Sequence, residues 1–262
     1  MTQLGYAYAA GNGVPKNNTK AIEWFRKAAE KGNAAGQAYL GNMYNFGVGV
    51  PRDHGQALRW LRKAADQGES LALIYLGTNY TNGGGVAQDY SKAADLYHKA
   101  AGQEFVPAWS YLGDMCERGL GVPQDFVKAL YWYRKAAEKG DSFAMARLGR
   151  MYAEGNGVRQ DQKEAVSWIK KSAEAGDVRG QAYLGLLYEK GFGVTQDVAK
   201  ALELYRKSAE AHDVFGQRQL GRIYLQGIGV TANRQEAVKW YKAAAEQGDS
   251  ASSEALKAMQ QE

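Results

Sequence analysis

The sequence holds one cysteine, Cys116, so no disulfide can form within the chain. No apolar run approaches the roughly 18 residues that a membrane-spanning helix needs. Lysine and arginine never gather beyond short pairs, and 33 of them against 28 acidic residues leave a formal charge of +5, which does not point to nucleic acid as a partner. His54, His98 and His212 lie 44 and 114 residues apart and make no metal-ligand spacing with Cys116. No glycine-rich segment reads as a phosphate loop. The stretch Ser167 to Lys170 matches S-x-x-K, but neither S-D-N nor K-T-G accompanies it. These gaps predict a chain without catalytic residues, cofactor or metal. The first residues also lack a basic head followed by an apolar segment, and Leu4 already belongs to a repeat, so the start reads as a cut boundary. The chain is expected to be soluble, periplasmic or secreted if an upstream signal was removed, and cytoplasmic otherwise.

What is present is repetition. Leu-Gly-x-x-Tyr-x-x-Gly-x-Gly-Val begins at Leu4, Leu40, Leu76, Leu112, Leu148, Leu184 and Leu220, with a constant step of 36 and Cys116 in one tyrosine place. A fixed period of this length predicts stacked helical hairpins whose stability comes from neighbour contacts. Gly36, Leu40, Met43 and Tyr44 share one helical face, and the places equivalent to Gly36 are all small. Gly41, Gly77, Gly113, Gly149, Gly185 and Gly221 fall inside predicted helices, where each costs about 1 kcal/mol against alanine, so a neighbouring helix is expected to approach closely there.

The first helix of each unit should stop near Gly47 and its equivalents, from Gly11 to Gly227, in a left-handed cap. Asp53, Asp89, Asp125, Asp161 and Asp197, with Asn17 and Asn233, are placed to cap the second helix, and Glu164 adds a capping-box candidate to Asp161. Ala129, Trp132, Tyr133, Ala136 and Ala137 then mark the apolar stripe of one second helix. Trp24, Trp60, Trp132, Trp168 and Trp240 are expected to wedge between hairpins. Second helices should end at Gly32, Gly68, Gly140, Gly176 and Gly248, whereas Glu104 and His212 occupy that place in two units and predict less comfortable junctions.

The segment LGNMYNFGVGVPRDHGQALRWLRKAADQG and its companions resemble Sel1-like repeats, relatives of tetratricopeptide repeats, over nearly the whole chain. The resemblance implies an all-α fold: a right-handed alpha-alpha superhelical solenoid of about seven 36-residue repeats, with first helices on a concave side that holds protein partners. Residues 1–262 then form one array, with a truncated first repeat at 1–33, central repeats at 34–248 and a terminal capping helix at 249–262. Some relatives are cysteine-rich and linked to beta-lactam binding; paired cysteines are missing here.

Recognition should come from positions that vary between copies. Ala38, Asn42 and Asn45 are expected on a face away from the Leu40/Tyr44 stripe, flanked by Tyr39, Tyr75, Tyr111 and Tyr183. The groove is then neutral at Asn42 and Thr78, acidic at Asp114 and Glu117, and basic at Arg150, Arg218 and Arg222, where partner carboxylates would dock. The function expected is noncatalytic protein recognition or scaffolding by these residues, Ala38 and Asn45 excepted. The alternative is a carbohydrate or peptidoglycan-associated envelope module, with the tyrosines stacking on sugars.

Overall fold

A computed structural model describes residues 1–261. They form fifteen α-helices arranged as an all-α repeat solenoid of about seven helix–turn–helix units. The helices fall into two compact units. The first, Met1–Asp125, holds α1 (Thr2–Ala10), α2 (Asn18–Glu30), α3 (Ala34–Phe46), α4 (His54–Asp66), α5 (Ser70–Asn82), α6 (Tyr90–Gly102) and α7 (Val106–Arg118). The second, from Phe126, holds α8 (Phe126–Glu138), α9 (Ser142–Glu154), α10 (Gln162–Glu174), α11 (Val178–Lys190), α12 (Val198–Glu210), α13 (Val214–Gln226), α14 (Arg234–Glu246) and α15 (Ser250–Gln261). Odd-numbered helices from α1 to α13 begin the repeats. Each of α1, α3, α5, α9, α11 and α13 packs on the helix that follows it.

Helix ends follow the glycines. Gly47, at φ 69°, closes α3 with its N–H on the Met43 carbonyl, and Val48 donates to the same oxygen at 3.0 Å. Asp53 accepts from the Gln56 N–H at 2.9 Å, and Asn17, Asp89, Asp197 and Asn233 cap in the same way. Asp161 caps α10, but Glu164 does not complete a box: its carboxylate accepts from the Trp168 indole at 3.1 Å. First helices carry caps that the sequence reading missed, from Asn33, Asp141, Asp177 and Asp213.

The helix-interior glycines mark close approach. A Cβ on Gly41 would lie 2.7 Å from Leu61 Cγ, and one on Gly221 would lie 2.7 Å from Tyr241 Cδ1. The side chain that meets these glycines, aromatic in most copies, belongs to the residue after the tryptophan position. Phe25, Tyr97, Tyr133 and Tyr205 are at most 1% exposed, whereas all five tryptophans of the series are only half-buried. Trp60 rests on the cluster of Ala21, Ile22 and Phe25, and Trp240 on that of Ala201 and Tyr205, so both wedge against the preceding hairpin. Solvent-side lysines cover the rest: Lys63 stands 5.0 Å from the Trp60 ring and Lys171 stands 4.3 Å from that of Trp168.

Glu104 and His212 adopt φ 57° and 64°, the left-handed conformation that glycine takes in the other copies. Side-chain-bearing residues are strained there. Replacing both with glycine is expected to stabilise the chain by about 0.5–1 kcal/mol per site, read as a higher melting temperature. An unchanged or lower value would mean that these side chains contribute contacts outweighing the strain.

Candidate functional site

A first helix packs on its own second helix, on the second helix of the preceding repeat and on the first helix of the adjoining repeat, as α3 does on α4, α2 and α5, and this decides which variable positions stay open. Ala38 and Asn45, expected on the open face, are 0% and 7% exposed. Ala38 packs with Ala72 and Leu76 of α5, while Asn45 donates to Asn79 Oδ1 at 2.7 Å and meets His54 Nδ1 at 2.9 Å. The equivalents Ile74 and Ser110 are buried as well, so the open surface is narrower than helical periodicity alone suggests.

In the first unit that surface carries Tyr39, Asn42, Tyr75, Thr78, Tyr111 and Asp114, all partly accessible, whereas Glu117 is buried. Tyr39 lies on Phe25 with ring centroids 4.9 Å apart and planes 18° apart, and Tyr111 lies on Tyr97 at 4.7 Å and 18°. Tyr6, which sequence reasoning passed over, stands 6.2 Å from Tyr39 and is 46% exposed. Tyr6, Phe25, Tyr39, Asn42, Met43 and Tyr75 line a cavity of about 310 Å³. Asp114 is bound by Arg118 at 3.2 Å on the same helix.

The hydroxyls separate two kinds of tyrosine. Tyr44 accepts from Arg26 at 3.1 Å, Tyr224 accepts from Arg206 at 2.7 Å, and Tyr97 meets Thr81 at 3.1 Å. The hydroxyls of Tyr6, Tyr39, Tyr75 and Tyr111 have no hydrogen-bond partner among the described residues, and none is sealed from solvent. Burial, then the neighbouring Tyr39 and Tyr111, pushes the Tyr75 hydroxyl up to about 12; burial, Tyr6 and Glu69 raise that of Tyr39. Both are therefore neutral phenols able to donate near neutral pH.

The second unit uses its charged positions differently. Arg222 pairs with Glu189 through Nη2 and donates to Gln219 through Nε at 3.0 Å. Arg218 pairs with Asp249 at 2.8 Å and sits 5.4 Å from the Phe215 ring; Arg150 pairs with Glu154 at 3.0 Å. Tyr183 packs 5.2 Å from Phe215. The basic end is thus largely matched by the chain's own carboxylates, and Arg218 and Arg222 bridge successive repeats, as Arg179 does to Asp213 at 3.0 Å.

Glu189 is the residue that the sequence reading missed. It is 4% exposed and accepts from the Tyr205 hydroxyl at 3.1 Å and from Lys190 at 2.9 Å besides Arg222. A partial signal for it exists: at two core tyrosines a polar partner stands 16 residues earlier, Thr81 for Tyr97 and Glu189 for Tyr205, although Tyr241 has Leu225 there. Burial by itself raises the Glu189 carboxyl, but hydrogen bonds from Lys190, Arg222 and Tyr205 outweigh it and hold it below its ordinary value of 4.5. A lowered folded value means that the ion pair stabilises fully above the unfolded carboxylate range and loses its effect as pH falls through the folded value. The melting-temperature gap between the wild type and Glu189→Gln is accordingly expected to close on acidification. A gap constant from neutral to acid pH would contradict this assignment.

Among the described residues, no group of three His, Cys, Asp or Glu side chains is placed to hold a metal ion. No helix is long and apolar enough to cross a membrane. Cys116 is buried.

The family model described as Sel1 repeat matches residues 1–33, 34–69, 70–104, 110–141, 142–177, 178–213 and 214–249. Among solved structures, the chain is similar to a protective antigen of uropathogenic Escherichia coli strains displaying an SLR fold, with 40% identity and a TM-score of 0.63. That match covers 98% of this chain and 56% of the antigen, so the chain spans little more than half of that relative. A Sel1 repeat protein from Oxalobacter formigenes is 36% identical over 94% of this chain and 100% of its own, with a TM-score of 0.76. An immunity protein from Pseudomonas aeruginosa shares the fold at 23% identity, 75% coverage of both chains and a TM-score of 0.55. No curated protein matches the chain.

Proposed function

The chain belongs to the Sel1 repeat family, a noncatalytic helical repeat fold that generally mediates protein–protein interactions, and we propose that it holds a protein partner on the face lined by its first helices. The observation that carries this reading is the row of partly exposed tyrosines on the first helices, Tyr6, Tyr39, Tyr75 and Tyr111, whose hydroxyls are open to solvent and free to bond a partner. Exposed aromatic side chains with few rotatable bonds and a free donor are common anchors in protein interfaces. Asn42, Thr78 and Asp114 beside them differ from copy to copy, as a surface that discriminates between partners requires.

In the second unit, Arg150, Tyr183, Arg218 and Arg222 contribute shape and orientation more than free charge, because the arginines are already paired. The carbohydrate reading is weaker. Sugar rings stack on open aromatic faces, and Tyr39 and Tyr111, each covered on one face by Phe25 and Tyr97, offer at most one face apiece.

The test introduces bulk and charge at the half-open positions, and because Thr78 Oγ1 stands 3.4 Å from the buried Tyr97 hydroxyl, the variant's melting temperature is compared with that of the wild type. Immobilised wild-type chain, the Asn42→Arg/Thr78→Arg variant and a second-helix control, Glu23→Arg, are exposed to the same extract. A partner retained by the wild type and by the control but lost from the first-helix variant is the expected result. Equal retention by all three forms would mean that this face does not hold the partner.

A further inference from the structure

We infer that the groove between α4 and α6, on the side of the second helices, is a binding site for a flat aromatic molecule of about the size of indole. Five second helices carry tryptophan at one repeat position, and α6 carries Leu96 there. Trp60 shows what that position does: it packs on the cluster that holds Ala29 of α2 and Leu40 of α3. One repeat later Leu96 keeps the same place, against the cluster that holds Leu76 of α5, with Ala65 of α4 beside it. Its side chain is smaller than an indole and does not fill the place. Ala65, Leu73, Leu76 and Leu96 accordingly line a cavity of about 370 Å³, inside the range of small-molecule pockets, roughly 300–1,000 Å³. An apolar hollow left where a large side chain gives way to a smaller one can take up a small aromatic molecule.

Two further features set this copy apart. One repeat earlier the floor position is Gln37, whose amide donates to the Ala29 carbonyl at 3.2 Å and accepts from Gln67 at 2.8 Å. Here the floor is Leu73, 4% exposed, so it is apolar where the other copy is polar. The second feature is the cation that covers the indoles. Lys27, Lys63, Lys135 and Lys171, each three residues after a tryptophan, stand 4.7, 5.0, 5.9 and 4.3 Å from the ring centroids. Lys99 holds that place on the rim of the cavity, with no ring beneath it and no ion pair among the described residues. An aromatic face lying in the cavity meets this ammonium, which its π-electrons attract. Arg62 and Asp66, the other charges on the rim, offset one another, so Lys99 selects the ring itself and not a formal charge on it. Leu204 also stands in a tryptophan place, but its floor residue is Gln181 and Lys207 there donates to Glu203 at 2.7 Å, so neither feature recurs.

The probe is 5-fluoroindole, titrated into the full chain and followed by fluorine NMR, which the chain's own tryptophans do not obscure. Saturable binding to the wild type is expected. Leu96→Trp gives α6 the side chain of the other copies; it should fill the cavity, raise the melting temperature and abolish binding. Lys99→Met keeps the length of the side chain and removes its charge, so binding should weaken about threefold at an unchanged melting temperature. The inference is overturned if the wild type shows no saturable binding, if Leu96→Trp still binds the probe or melts below the wild type, or if Lys99→Met binds as tightly as the wild type. Asn42→Arg/Thr78→Arg, altered on the first helices, should bind 5-fluoroindole as the wild type does; loss of binding there would put the probe among Tyr6, Tyr39 and Tyr75 and overturn the assignment as well.

Discussion

Gly149→Val is expected to lower the unfolding free energy by about 3 kcal/mol, the upper end of what overpacking a helix contact typically costs. A Cβ at this position would lie 2.5 Å from Ile169 Cγ1, 3.1 Å from the Ala165 carbonyl oxygen and 3.1 Å from the Ile169 nitrogen. Two of those three atoms are backbone in α10 and cannot rotate away. Valine adds two methyl groups beyond the Cβ, so α9 and α10 must separate, and the packing of Leu148 and Met151, both 0% exposed, goes with them. Denaturant unfolding measures the change. Gly102→Ala is the control, since nothing lies within 4 Å of a Cβ there. Equal stability of Gly149→Val and the wild type would mean that close helix approach is not why glycine stands inside the first helices.

The second large effect is expected at Arg222. Sequence alone presents this arginine as a free cation for a partner, and charge reversal then reads as a change in binding only. Its pairing with the buried Glu189 alters that expectation. Arg222→Glu would set two carboxylates against one another beside the Tyr205 hydroxyl, and breaking a buried ion pair costs about 3–5 kcal/mol. Because the Arg222 side chain remains 25% exposed, the lower end, about 3 kcal/mol, is the expected loss. Glu189→Gln added to the variant should restore part of it by removing the repulsion. Loss of partner binding without loss of stability would instead make Arg222 a recognition residue.

The fold was legible because repetition compares the chain with itself. A glycine at the end of every first helix, an aspartate or asparagine before the second helices, and a small residue beside every Leu40 equivalent recur for local reasons of backbone conformation, capping and helix contact. Glu104 and His212 stood out as exceptions and are the two non-glycine residues with positive φ among those described. Tryptophan was harder to place, because its size suggests the centre of the core while its indole also tolerates a covering lysine at the edge.

The candidate site was legible only in part. Tyr39, Asn42, Tyr75, Thr78 and Tyr111 lie on the face where periodicity placed them, but Ala38 and Asn45 do not, because the adjoining first helix covers a flank that a single-helix projection treats as free. The pairings of Arg218 with Asp249 and of Arg222 with Glu189 join residues 31 and 33 positions apart. Variation at one repeat position can be compensated at another in the adjoining repeat, and only three dimensions show which positions meet.

Which helix layer touches the partner is the central claim, and site-specific photo-crosslinking tests it most directly. Benzoylphenylalanine is placed at position 75 on the first-helix face or at position 23 on the second-helix face, in separate full-length chains, and each is irradiated in cell extract. A partner held by the first helices predicts a discrete protein adduct from position 75, absent from position 23 and lost when Asn42→Arg/Thr78→Arg is present. A protein adduct from position 23 alone, or a glycan adduct from position 75, would contradict that claim.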